Sequence, residues 1–178
     1  MSKKKLIVAL ILFVLLTWGY ISTPMGILED SQEIEMEVWS LNQSLYEFPH
    51  IEIIDNHAIA LYHWGDYREM KLAVVELKKN WLGKWNFIHS YNTRWQPQFE
   101  VIELDELTVV TGYTRDEEIH SIHVETVMGN EEAKIVEKKF DNKVWYIVTD
   151  NAENYNEATV KYVDKKGNVL EEVAVGGD

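Results

Sequence analysis

Ser121 stands between His120 and His123, a spacing that brings a hydroxyl and two imidazoles together in the chain. Acyl-transfer chemistry needs a hydroxyl in hydrogen-bond reach of an imidazole, and a third group to orient that base. Ile119, Ile122 and Val124 mark the segment as a strand, whose side chains alternate faces. His120 therefore points away from Ser121, while His123 shares its face at an awkward reach. Ser40, Ser44, Ser90 and Ser121 lie in no G-x-S-x-G turn, and the chain has no cysteine to act as a thiol nucleophile. These read as ordinary strand and loop residues, and no catalytic motif is found.

Metal chemistry is equally thin. His120-x-x-His123 has ligand types, but on a strand the two rings face opposite ways. There is no H-E-x-x-H, and His50, His57, His63 and His89 are scattered. Asp150–Glu157 (DNAENYNE) is dense in oxygen ligands. It departs from the EF-hand, with Ala152 in the third place and no glycine in the sixth. It reads as a polar inter-strand loop, with weak calcium binding as the alternative. No glycine-rich phosphate loop occurs, and no cofactor is expected. A secreted hydrolase using carboxylates, with or without a metal, remains the alternative function, because acids abound without one marked pair.

Tryptophan is the one excess. Besides Trp18 there are Trp39, Trp64, Trp81, Trp85, Trp95 and Trp145. Trp81, Trp85 and Trp95 lie close together beside Lys79, Lys84 and Arg94. Exposed, they would form a contact surface for a protein or glycan; buried, they would fill a small core.

The elements that position these residues follow from patterning. Met1–Lys5 is basic and residues 6–21 carry no charge. Sixteen such residues make a helix of about 24 Å, against a hydrocarbon core of roughly 30 Å. Snorkelling Lys3–Lys5 at one end, with Trp18 and Tyr20 at the other, would cover the difference. The positive-inside rule then puts the lysines in the cytoplasm and the rest outside. A cleaved signal peptide, giving a secreted protein, is the alternative; Thr17-x-Gly19 is its one small-x-small site, crowded by Trp18 and Tyr20. Absence of disulfides suits a bacterial envelope protein that relies on packing alone.

Three segments are expected: residues 1–26 as anchor or signal segment and tether, 27–96 as a helix plus β-meander, and 97–178 as a β-sandwich. Asp30 with Glu33 is a capping-box pattern, and Ile34, Val38, Leu41 and Leu45 recur at helical spacing. That predicts an amphipathic helix over 31–47. Strands are expected at 51–54, 58–64, 70–77 and 85–91, then at 99–104, 107–113, 119–128, 133–138, 144–149, 158–163 and 169–175. Acidic clusters at 116–118 and 131–132 read as solvated hairpin tips. The fold class is α+β, mostly β: an N-terminal transmembrane helix, one amphipathic helix on an antiparallel meander, then an immunoglobulin-like sandwich.

A hydrophobic fraction of 46% with 12% aromatics supplies a real core and excludes a disordered composition. Net charge is −13, with no acid before Glu29, so the body of the chain is more acidic still. Such a surface repels phosphate backbones, and no nucleic acid partner is expected.

Leu77–Phe87 (LKKNWLGKWNF), Thr111–Thr126, Val144–Asp150 (VWYIVTD) and Val160–Leu170 (VKYVDKKGNVL) resemble a group of small membrane-anchored extracytoplasmic proteins from Bacillus-type bacteria. The resemblance covers residues 51–170 loosely. It implies an N-terminal helix and meander leading through a G-K-W segment into a β-sandwich that closes on a Y-D-K-x-G-K-V-like hairpin. Asn168 stands where a basic residue is usual. The resemblance brings no activity and no functional residues. Together these readings describe a single-pass membrane protein whose outer part binds an envelope protein or a cell-wall glycan.

Overall fold

In the computed structural model the described residues are 13, 29–41, 45, 47, 49–65, 71–93, 98–137 and 143–175. The segment expected to cross a membrane, residues 6–21, lies outside them except for Phe13. Among the described residues no helix is long and apolar enough to cross a membrane. Residues 31–178 form one compact unit.

The chain is mostly antiparallel β. Helix α1 (Asp30–Ser40) precedes strands β1 (His50–Ile54), β2 (His57–Trp64), β3 (Lys71–Lys79) and β4 (Trp85–Asn92). These four make a meander in the order β1-β2-β3-β4. Then follow β5 (Glu100–Glu103), β6 (Thr108–Thr114), β7 (Ser121–Thr126), β8 (Gly129–Glu132), β9 (Lys134–Glu137), β10 (Lys143–Thr149), a 3-10 turn (Ala152–Tyr155), β11 (Thr159–Val163) and β12 (Val169–Ala174). They form two more sheets, β5-β6-β10-β9 and β12-β11-β7-β8.

Period-two alternation sorts the side chains between layers. Ala58, Ala60 and Tyr62 of β2, with Ala73, Val75 and Leu77 of β3, pack against Ile34 and Val38 of α1. The intervening Ile59, Leu61, Leu72 and Val74 face the other way, onto Ile102, Val109, Val144 and Tyr146 of the second sheet. That sheet's opposite face offers Val110, Trp145 and Ile147 to Ile122, Val124, Val160 and Tyr162 of the third. The order of layers is thus helix, meander, sheet, sheet. Both middle layers are covered on two faces, which is why β2, β3, β6 and β10 read as near-continuous apolar runs. The boundary expected near Pro97 falls outside the described residues, and the sheets on either side of it share a core.

Two expectations need correction. The helix predicted over 31–47 ends at Ser40, and Leu45 makes an extended bridge with Trp64 instead. Leu41 and Leu45 still pack on the core below α1, so their apolar spacing reports burial rather than helical continuation. Residues 131–132 belong to β8, a fully exposed edge strand (GNEE) with no apolar pattern to announce it.

At the open edge of β4 the backbone amides of Trp85 and Phe87 donate to the carboxylates of Glu33 (3.3 Å) and Glu37 (3.4 Å).

Candidate functional site

The tip of the β3–β4 hairpin is built by Asn80. Its amide donates to the Lys84 carbonyl (2.8 Å), and its own carbonyl accepts from the amide of Gly83 (2.9 Å). Its side-chain oxygen accepts from the amides of Leu82 (2.9 Å) and Lys84 (3.1 Å). Gly83 completes the turn at φ +80, a conformation that side chains with a Cβ resist. The result is a short, internally bonded turn that holds Trp81 90% exposed and Leu82 63% exposed.

The three tryptophans expected to act together are divided. Trp81 projects into solvent. Trp85, at the start of β4, is 3% exposed, packs beneath α1 and lies under the Lys79 ammonium (5.5 Å from ring centroid to Nζ). Its indole belongs to the core and cannot meet a partner. Trp95 lies outside the described residues. What sequence spacing cannot register is the alternation across the turn, which sends Trp81 out and Trp85 in.

Charge also singles out this hairpin. From Leu77 to Phe99 there is no acidic residue, while Lys78, Lys79, Lys84 and Arg94 are basic, in a chain of net charge −13. Lys78 bonds Glu106 of the neighbouring sheet's β5–β6 turn. Lys84 is exposed at the tip.

The residues weighed for catalysis occupy other places. Ser121 Oγ does meet His123 Nε2 at 3.2 Å along β7, a closer approach than alternation alone suggests. Among the described residues no carboxylate bonds His123 as the third member of a triad. His120 is exposed. Among the described residues no group of three or more histidines or acids is arranged to hold a metal ion. In the 150–157 segment, Asn151 Oδ1 caps the 3-10 turn through the Glu153 amide (3.2 Å), and buried Tyr155 donates to Glu131 (2.9 Å).

Histidine–carboxylate clusters do exist, at a seam the sequence did not point to. Five polar residues of the meander, His50, Glu52, His57, His63 and Glu76, lie on the same face as Ile59 and Leu61 and border the apolar contact with the second sheet. His63, 2% exposed, has Nδ1 2.7 Å from Glu47 Oε1 and bonds Tyr113 through Nε2. A neutral ring that donates to Glu47 accepts from the tyrosine hydroxyl. His50 Nε2 lies 2.9 Å from the Tyr146 hydroxyl, which donates to Glu52, itself paired with Lys134. His57 sits between Glu76 (3.4 Å) and Glu106 (3.3 Å).

Electrostatics follow these contacts. Burial pushes Glu52 up, but the bonds from Lys134 and Tyr146 outweigh it and hold the carboxyl below its ordinary range. Tyr113 is pushed well up by burial, with Glu47 adding to it, and Tyr146 by burial and its bond to Glu52. The clusters link side chains of the meander to side chains of the second sheet. Such networks hold two layers in register. Polar residues interrupting apolar strands, such as Glu76 within LAVVELKK, were the available signal.

Comparison with known protein families, with curated proteins and with solved structures finds no match for this chain, so its reading rests on its own residues.

Proposed function

We propose that this chain is a membrane-tethered extracytoplasmic module that works by binding a component of the envelope, a protein or a cell-wall polymer, through the β3–β4 hairpin tip. The observation that carries the reading is Trp81, 90% exposed on a turn locked by Asn80. A large aromatic on a backbone already ordered by the turn has much apolar surface to bury, and binding need not order the backbone again.

The tether reading is supported by the uncharged residues 6–21 behind three lysines. Strand orders β5-β6-β10-β9 and β12-β11-β7-β8 correspond to the A-B-E-D and G-F-C-C′ sheets of an immunoglobulin-like sandwich, an architecture common in surface binding domains.

The test is capture from envelope membranes by the full chain and by Trp81→Ala. The expected result is a component held by the parent and lost by the variant, with both melting at the same temperature. Equal capture by the two would remove the hairpin as the contact surface.

A further inference from the structure

We infer that the β3–β4 hairpin meets the bilayer rather than a protein or a wall polymer: Trp81 and Leu82 dip into an anionic headgroup layer while Lys84 engages its phosphates. This rests on the reading that the hairpin is a contact surface, and names what it contacts.

Three observations converge. The tip pairs an aromatic with an aliphatic side chain, 90% and 63% exposed. The boundary between headgroups and acyl chains takes both. The turn amides of Leu82, Gly83 and Lys84 are bonded within the turn, so the tip enters a less polar layer without stranding those donors. The tip is also locally basic: no acid occurs from Leu77 to Phe99, in a protein whose net charge of −13 would otherwise keep it off an anionic surface. Of the carboxylates near the hairpin base, Glu106 is paired with Lys78.

The β7–β8 tip gives the contrast. Val127 and Met128 are 75% and 77% exposed, yet acids flank them: Glu125, paired with Lys161, Glu131, which accepts from Tyr155, and Glu132. An apolar tip on an acidic hairpin is repelled by the surface that attracts the basic one.

The chain has no cysteine, so Leu82→Cys and Met128→Cys each give one labelling position in the full-length protein. Each is labelled with an environment-sensitive fluorophore and reconstituted into vesicles of phosphatidylcholine, alone or mixed with phosphatidylglycerol in equal parts. Lipids carrying a quencher on the acyl chain report insertion, and circular dichroism confirms the fold of each variant. Quenching is expected at position 82 in the mixed vesicles, reduced by salt, and absent at position 128. Adding Lys84→Gln is expected to shift the equilibrium towards the free tip by roughly fivefold. No quenching at position 82, or equal quenching in both vesicle types, overturns the inference. A photo-crosslinker at position 82 that captures an envelope protein or wall polymer, without lipid quenching, overturns it while leaving the hairpin as a contact surface. Neither quenching nor crosslinking removes both.

Discussion

The carboxylate of Glu76, in the middle of β3, accepts the backbone amide of Asp105 at 2.9 Å from the turn between β5 and β6. It also reaches the amide of Glu106 at 3.3 Å and the ring of His57 at 3.4 Å. One side chain of the meander thus terminates a turn of the neighbouring sheet. A buried carboxylate is tolerable because these groups replace its water. Glu76→Ala leaves both turn amides without this acceptor and is expected to cost about 3 kcal/mol. Glu76→Gln retains an acceptor and is expected to cost less. Urea denaturation monitored by fluorescence checks both. Because the two sheets share a core, a single transition is expected for residues 31–178; two separate transitions would show that the seam is weak.

Trp81 and Trp85 should behave oppositely under the same substitution. Trp85→Ala empties a site under α1 and is expected to cost about 3–5 kcal/mol. Trp81→Ala, at a fully hydrated site, is expected to stay within about 0.5 kcal/mol of the parent. Thermal unfolding of the two variants side by side measures the difference.

Two glycines should fail for different reasons. A Cβ on Gly112 would lie 2.2 Å from the Gln98 carbonyl oxygen and 2.6 Å from the Trp145 ring, both within the packed sandwich. Gly112→Ala is therefore expected to cost about 3 kcal/mol through overpacking. At Gly83 a Cβ meets nothing within 4 Å, but φ is +80. Gly83→Ala should cost about 1 kcal/mol, from backbone conformation alone. Equal costs at the two positions would contradict the geometry.

The pH dependence has opposite signs at its two ends. Burial raises Glu52, but Lys134 and Tyr146 bring its folded value below the ordinary 4.5. Its stabilising contribution is full above 4.5 and is lost as pH falls through the lower folded value. Glu52→Gln should flatten that part of the acid stability profile. At the alkaline end, burial moves Tyr62 and Tyr162 from 10.0 to about 12, and raises Tyr113, Tyr146 and Tyr155 as well. Their contribution is full below pH 10 and is lost as pH rises through the raised values. In an alkaline titration, tyrosinate absorbance from these residues should appear together with loss of the folded circular dichroism. Gradual ionisation of all tyrosines near pH 10 would contradict their burial.

Strands were largely legible because most are runs of β-branched and aromatic residues, with turns such as Asp55–Asn56 and Asp164–Asn168 between them. Layering was less legible. The continuous apolar runs of β2 and β6 signal two covered faces, but not which sheet covers which. β8 was hidden because an exposed edge strand needs no apolar residue. Of the contact surface, the composition of residues 81–85 was visible, whereas the opposite fates of Trp81 and Trp85 depend on where the turn reverses the chain. The seam clusters join residues as distant as His50 and Tyr146, a pairing that exists only after the sheets have stacked.

Glu33 and Glu37 bring a further consequence through their bonds to the Trp85 and Phe87 amides. Those two donors would otherwise face solvent along the rim of the meander, where an extended peptide or another molecule's strand could zip on. Helix α1 therefore acts as a guard against polymerisation as well as a cover for the core. Removing both carboxylates together should leave the monomer folded yet prone to growing fibrils at high concentration, through the one rim that a neighbouring helix had kept closed.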